Sequence, residues 1–416
     1  MKRYIRLFCL LLALLLTTGC IAPTTPATEG ENSMNHTQKL PEGFILGMDA
    51  SCVPALEASG VNYYNFEDRE QDVFKTLAEN GIDYIRVRVW NHPFDENGNG
   101  YGGGNCDIQN TLTIGKRATQ YGMKLLVDFH YSDFWADPGK QMVPLAWKDM
   151  DIEEKADALS LFTTESLQLL KDSSVDVGMV QIGNETNGKM CGESDWGNIC
   201  KLMNAGAGAV REIFPDAQVA VHFTNPEKAG TYKYYANQLY EHQVDYDVFA
   251  SSYYPYWHGT VDNLSKVLTE ISQGYGKKVM VAETSYAYTA EDSDFWVNTV
   301  SSGAPAIPEY PYTPQGQANF IQKMVSTVAS IPGGIGVFYW EGTWISVGNT
   351  SLQQNQALWE TYGSGWASSY SAAYDPEDAG KWYGGCAVEN QAVFDENGKP
   401  LPALEVFRLL QAGNLP

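Results

Sequence analysis

The chain has 416 residues, 44% hydrophobic and 19% charged, which is the profile of a globular protein with a large core and excludes a disordered or fibrous one. Its formal net charge is −23, from 50 Asp and Glu against 27 Lys and Arg, and no basic run follows Arg6. Nucleic acid is therefore excluded as a partner, since phosphate contacts need clustered cations. An acidic surface suits a neutral or cationic ligand.

The chain opens MKRYIRLFCLLLALLLTTGC, with Lys2, Arg3 and Arg6 ahead of an apolar run from Leu7 to Leu16 and small residues ending at Gly19 and Cys20. This reads as an export signal over residues 1–19, too short to remain as a membrane-spanning helix. LTTGC resembles a bacterial lipoprotein signal, which is cut before Cys20 and lipidates it, so membrane contact is expected only through that anchor. The protein is then exported, either lipid-anchored at the cell surface or extracellular. Residues 20–40, rich in Thr, Pro, Glu and Asn, read as a flexible tether. From about Pro41 the composition is even, which predicts a single domain over residues 41–416, expected to act as a monomer.

Within that domain short apolar runs alternate with helix-like segments. Strands are predicted at 44–50, 84–90, 124–130, 177–183, 218–223, 247–254, 278–284 and 334–340, several of them near-continuous runs of Val and Ile. Such runs suit parallel strands covered on both faces. Helices are predicted at 69–81, 112–122, 151–172, 196–214, 260–276 and 314–330. The pattern predicts an α/β fold with eight strands in a single (β/α)₈ barrel. A doubly wound sheet is the competing reading, but it would leave the residues at the later strand ends unexplained.

Seven cysteines are too few for a disulfide-built fold of this size. Cys191 and Cys200 flank GESDWGNI and are candidates for one bridge. No CxxC, HExxH or GxxxxGK[ST] pattern occurs, so neither zinc hydrolysis nor an ATP site has support, and no organic cofactor is expected.

In a barrel all eight C-terminal strand ends open on one face. Those positions hold Asp49, then Arg86, Arg88, Trp90 and Asn91, then Asp128, His130, Tyr131, Asp133 and Trp135, then Asn184 and Glu185. Later strands add His222, Tyr253, Tyr254, Trp257, His258, Glu283, Tyr339, Trp340, Glu341 and Trp344. Flat rings beside carboxylates and amides suit a sugar, whose C–H faces stack while its hydroxyls need fixed polar partners. Glu185 and Glu283, ending the fourth and seventh strands, are the candidate pair for glycoside hydrolysis, which needs one protonated and one ionised carboxyl. Asn184 adjoins Glu185 and can reach a sugar 2-hydroxyl, whereas Glu283 follows the rigid apolar stretch VMVA. Glu185 is accordingly assigned as acid/base and Glu283 as nucleophile, with retaining or inverting chemistry left open by sequence. One of Arg86 and Arg88 is expected to enter the barrel mouth and pair with Glu283 or Asp128; alternation does not say which. His130 and Tyr253 are expected in the same hydrogen-bond network.

Seven segments, RVRVWNHP, LLVDFHYSDFWADPGKQ, VQIGNETNG, YYPYWHG, VAETSY, GVFYWE and ENQAVFD, together resemble the glycoside hydrolase family 53 endo-β-1,4-galactanases from about residue 43 to 411. The resemblance implies a barrel with its acid/base at Glu185 and its nucleophile at Glu283. It further implies retaining chemistry and endo attack on the β-1,4-galactan of type I arabinogalactan, a pectin side chain, with galacto-oligosaccharides as ligands. Bacterial members of the family are similar in tying the loop after strand seven to that after strand eight with calcium. Here Asp292, Asp294, the Trp296 carbonyl and Asn298 put oxygens at alternate positions, a spacing that wraps a hard cation. The family's more distant Asp and Ser positions fall on Glu389 and Cys386, and Phe295, Trp296 and Val297 replace its glycine-rich loop. Two other readings compete: a retaining barrel hydrolase for another β-1,4-polysaccharide, and a non-catalytic oligosaccharide-binding surface lipoprotein. The second would be marked by loss of a carboxylate, yet both are present.

Overall fold

The computed structural model describes residues 39–348 and 351–414. The export segment 1–19, Cys20 and nearly all of the tether lie outside the described residues. Eight strands, β1 (Ile45–Asp49), β2 (Tyr84–Val89), β3 (Lys124–Phe129), β4 (Val177–Ile182), β5 (Gln218–Phe223), β6 (Val248–Ser252), β7 (Lys278–Thr284) and β8 (Gly334–Tyr339), form a closed barrel. Every neighbouring pair is parallel, and β8 closes on β1. All eight predicted strands are present.

Helices α1 (Val53–Ala58) and α2 (Val73–Glu79) follow β1, and α3 (Ile108–Gln120), α4 (Ile152–Asp172), α5 (Trp196–Ile213), α6 (Thr231–Glu241), α7 (Val261–Tyr275) and α8 (Pro314–Ser330) each follow one strand in turn. After β8 come α9 (Leu352–Tyr362) and α10 (Pro402–Gln411). The six helices expected from periodicity appear with ends moved by no more than four residues. Their starts are set by side-chain caps, most completely at α4. There Asp151 accepts from the backbone of Glu153 and Glu154, and Glu154 reaches back to the Asp151 N–H. Helix α6 escapes the sequence pattern because its buried face is carried largely by tyrosines, Tyr232 and Tyr235 with Ala236 and Leu239.

Alternation divides each strand between two cores. Outward residues such as Leu46, Ile85, Val87, Leu125 and Val127 pack against the helices. Inward residues, among them Ile45, Leu126, Met179, Ala220, Ala250, Met280 and Phe338, fill the barrel floor. Gly47 belongs to this inward set and must be glycine, since a Cβ there would stand 2.1 Å from the Phe338 ring. One step up the same inward rows the side chains turn polar: Asp49, Arg86, Asp128, Gln181, His222 and Ser252, all fully buried. An apolar plug thus carries a polar layer at the C-terminal mouth.

The bridge expected between Cys191 and Cys200 is not formed; both are buried free thiols. Cys200 sits on α5 with its sulfur turned toward the Gln238 carbonyl of α6, at 4.0 Å. Cys191 lies in the preceding turn beside Lys155 and Glu193.

Candidate active site

Glu185 and Glu283 meet at the floor of one cleft, with a cavity of about 240 Å³ whose wall also includes Arg88, Trp135, Tyr254 and Trp340. Each carboxylate is delivered by a local departure from regular strand geometry. Strand β4 ends at Ile182, Gly183 turns at φ +100°, and Glu185 itself sits at φ +46°. A non-glycine residue in that left-handed region is strained and persists only where its surroundings hold it. Here the Glu185 N–H donates to His222 Nδ1 (3.4 Å) and the Thr186 N–H to the His222 carbonyl (2.9 Å). On β7, Met280 and Ala282 face inward, so strict alternation would turn Glu283 out. The β6–β7 register slips between Ser251–Val281 and Ser252–Glu283, and this irregularity brings Glu283 inward.

Glu283 is held by a guanidinium. Arg86 Nη2 lies 2.9 Å from Glu283 Oε1 and 2.8 Å from Asp128 Oδ2, while Nη1 reaches Asp49 Oδ2 at 3.0 Å. Tyr254 donates its hydroxyl to Glu283 Oε2 (3.0 Å). Among the described residues no cation pairs with Glu185; Ser252 donates to its Oε1 at 2.6 Å. Burial, and then the neighbouring Glu283 charge, push Glu185 up to about 8. Burial also pushes Glu283 up, but there Arg86 opposes it directly. Of the two carboxyls, Glu185 is therefore the one that favours its protonated form, and Arg86 favours the ionised form of Glu283.

The remaining predicted residues fall into three groups. Asn184, His130, Trp135, Trp257 and Trp340 line the cavity, Trp257 half-exposed at the rim. Asp49, Asp128 and Trp90 support it from beneath: Trp90 Nε1 donates to His130 Nδ1 (3.1 Å), and His130 Nε2 donates to Asp128 (3.1 Å). His258 Nδ1 accepts the Tyr254 N–H (3.1 Å) and so fixes the backbone of the cleft tyrosine.

Four residues expected at the cleft stand off its wall. Trp344 is wholly buried and stacks on Trp135 at 6.3 Å. Asp133 accepts the His92 and Leu145 N–H groups and ties two loops. Asn91 is bonded through its backbone to Ser132. Tyr253 turns its hydroxyl away to the Gly259 carbonyl (2.8 Å), and Tyr254 takes the place expected of it. Alternation carries the signal that would have found this, since Tyr254 shares the inward parity of Ala250 and Ser252.

Both arginines of β2, not one, face inward, because residues two apart share a face. Arg88 pairs with Glu341 and Asp49 and lies 4.4 Å from the Trp135 ring centre. Sequence reasoning also misses Trp366, which stacks on Trp135 at 4.2 Å and lines the cavity from the long segment after β8.

Beside the cleft, oxygens of Asp292, Asp294 and Glu389 converge within 4.8 Å of one another. Asp294, Asn298 and Glu389 are buried, and Asn298 Oδ1 and Glu389 Oε2 have no hydrogen-bond partner among the described residues. Burial pushes Asp294 up to about 7 and Glu389 up to about 8. Buried acidic oxygens left without donors are what a hard cation would satisfy. Cys386 takes part through its backbone, its N–H donating to Asp294 Oδ2 (2.9 Å), while Trp296 packs edge-on against Trp359.

The model of glycosyl hydrolase family 53 matches residues 45–407. An endo-beta-1,4-galactanase of Bacillus subtilis (strain 168) is 57% identical over 375 residues, covering 90% of this chain and 87% of that protein. An arabinogalactan endo-beta-1,4-galactanase of Cellvibrio japonicus (strain Ueda107) is 35% identical over 332 residues, covering 76% and 85%. Among solved structures, the family 53 catalytic domain of Ignisphaera aggregans is similar with a TM-score of 0.80 and 36% identity, over 90% of this chain and 98% of that one. With its barrel and its paired carboxylates, one just beyond β4 and one on β7, the chain belongs to glycosyl hydrolase family 53.

Proposed function

We propose that this protein is an exported endo-β-1,4-galactanase that cuts the galactan of type I arabinogalactan by retaining double displacement. The observation that carries the mechanism is one hydroxyl shared by two carboxyls. Ser252 Oγ is 2.6 Å from Glu185 Oε1 and 3.4 Å from Glu283 Oε2, so those oxygens are no farther apart than the two distances together, about 6 Å. Retaining pairs stand about 5–5.5 Å apart and inverting pairs about 6.5–9.5 Å. The close spacing supports direct attack by Glu283 on the anomeric carbon while Glu185 protonates the departing oxygen. Glu185 then takes a proton from water as that water releases the sugar from Glu283. Galactan as substrate rests on kinship, since the Bacillus subtilis and Cellvibrio japonicus relatives are endo-beta-1,4-galactanases.

We further propose a structural calcium ion held by Asp292, Asp294, Asn298 and Glu389, with the Trp296 carbonyl and the backbone at Cys386 adjacent. When bound, it supplies positive charge to buried carboxylates and takes no part in bond cleavage. The N-terminal signal with Cys20 supports export with a lipid anchor.

Glu185→Gln and Glu283→Gln should each lower turnover on galactan by roughly 10²-fold or more while oligosaccharide binding persists. Because Glu185 must be protonated to act, wild-type kcat/KM should fall as pH rises through about 8. Unimpaired variants would overturn the assignment. Intact galactan alongside cleaved mannan, xylan or cellulose would instead overturn the substrate.

Tyr254→Phe removes a donor to ionised Glu283, which raises the nucleophile's pKa. The acidic limb of the pH–rate profile should move to higher pH and kcat/KM should drop about 10-fold or more. Tyr253→Phe should leave that limb in place. Equal profiles in the two variants would refute this division.

Chelation should lower the Tm by several degrees, restored by calcium. An unchanged Tm, with no metal in the purified protein, would count against the ion. Cys20→Ser should release the protein from cells into the medium; retention at the membrane would contradict the lipid anchor.

A further inference from the structure

Beneath the two carboxyls lie Ser252 and His222, buried groups to which the two displacement steps assign no part. Ser252 ends β6, and its hydroxyl oxygen touches Glu185 Oε1 (2.6 Å), His222 Nε2 (2.9 Å) and Glu283 Oε2 (3.4 Å). A hydroxyl has one hydrogen to give, and it can accept two. Where that hydrogen goes depends on His222.

Burial, and then the charge of Arg86, hold the His222 ring well below the usual imidazole range, so it is neutral and carries one N–H. Two donors face its Nδ1: the Glu185 backbone N–H at 3.4 Å and Gln181 Nε2 at 3.0 Å. Neither can reverse. The first is backbone, and the Gln181 amide is oriented by Asp128 Oδ1 on its nitrogen (2.6 Å) and Arg86 Nε on its oxygen (3.3 Å). Asn184 Oδ1 accepts from Arg86 Nη2 at 3.0 Å, has a second lone pair and lies 2.9 Å from the same nitrogen, so the fixed Glu185 N–H is what decides the tautomer. Nδ1 is thus the acceptor, and the ring hydrogen on Nε2 is donated to Ser252 Oγ. The hydrogen of Ser252 is left for a carboxyl, and Glu185 Oε1 is the nearer.

We infer that Ser252, oriented by His222, is a positioning residue of the acid/base, donating to Oε1 of Glu185 through both half-reactions and leaving the exchangeable proton to the other carboxyl oxygen. This rests on Glu185 being the acid/base. When Glu185 is protonated, Oε1 is the carbonyl oxygen and accepts from Ser252. When Glu185 has given up its proton, Oε1 carries charge and the same bond becomes charge-assisted and stronger. The serine hydrogen stays on its own oxygen throughout. The support is therefore greater for the base that activates water than for the acid that expels the leaving group. The other charged groups facing Glu185 are Glu283 from β7 and Asp137 from the loop after β3, both raising its pKa, so hydroxyl donation is the main local counterweight.

The test is Ser252→Ala. Loss of a donor to the ionised form raises the pKa of Glu185, so the alkaline limb of kcat/KM on galactan should move up by roughly 0.5–1 pH unit. With an aryl β-galactobioside bearing a good leaving group, the first step needs little acid help. The variant should then show a burst of leaving group followed by slow turnover, the mark of an impaired second step. Ser252→Thr, which keeps the hydroxyl, should restore both. Ser252→Cys, nearly isosteric and a weak donor, carries the same test should the alanine variant not fold. Histidine ¹⁵N shifts, assigned by loss in His222→Gln, should report the Nε2-protonated form. An unmoved alkaline limb without a burst, or a ring protonated at Nδ1, would overturn the positioning role. The acid/base assignment is tested apart from it, by the response of galactan cleavage to Glu185→Gln.

Discussion

The architecture of the cleft depends on one buried guanidinium. Arg86 reaches Asp49 on β1, Asp128 on β3, Asn184 just beyond β4 and Glu283 on β7, and its Nε meets Gln181 on β4. Its fork donates to Gln181, Asp49, Asp128 and Asn184 and holds Glu283 as an ion pair, more partners than the three hydrogens of an ammonium could serve. Removing such a partner would strand several buried carboxylates, a loss on the order of 3–5 kcal/mol even for a single pair. The proposed division of labour between the two carboxyls follows from where this charge sits. Glu283 has a guanidinium within 3 Å, which favours its ionised form. Among the described residues Glu185 has hydroxyl partners and no cation, and burial pushes it up to about 8. On that reading two chemically identical side chains acquire opposite roles from a single arginine.

Delivery of the two carboxyls shows how strain is spent near chemistry. A regular β4 would continue its alternation past Ile182. Instead Gly183 and Glu185 both take positive φ, and the Glu185 carboxyl lines the cleft. The bonds from the Glu185 and Thr186 N–H groups to His222 hold the turn, so the histidine that fixes Ser252 also fixes the backbone beneath Glu185. On β7 the register slip does the same work for Glu283. Regular strands set the frame; two irregularities aim the reactive groups.

These irregularities also mark what could be read from the sequence. The strands are legible because both faces of each are buried, which leaves continuous apolar runs. Glu185 and Glu283 are legible because carboxylates end two such runs. The choice of Tyr253 over Tyr254 fails for want of strand parity, which Ala250 and Ser252 supply only once the inward face of β6 is known. Arg86 and Arg88 share a face by the same rule, and nothing in local sequence announces that a barrel mouth can hold two arginines. It can because Asp49, Asp128, Glu283 and Glu341 come to them from four other strand ends. Trp344 and Trp366 invert expectation, one buried behind Trp135 and the other stacked on its cleft side. Their placement depends on how the segment after β8 folds back, which no short-range period encodes.

The same segment explains how a metal site remote from bond cleavage would matter to the enzyme. Asn298 adjoins Thr299, and Glu389 adjoins Val388; Thr299 and Val388 both line the cleft. The Thr299 N–H donates to the Ala387 carbonyl at 2.8 Å, which ties the loop after β7 to the loop after β8 one residue from Asn298 and two from Glu389. Two residues beyond Glu389, Gln391 accepts from Ser285, another wall residue, at 2.6 Å. A cation drawing Asp292, Asp294, Asn298 and Glu389 together would therefore set the wall position of both loops at once. Without it, mutual repulsion among the buried acids has to be relieved by protonation or by the loops separating. If the proposed polymer lies along that wall, the ion would act on how the chain is gripped, while Arg86 and Tyr254 set the charge on Glu283.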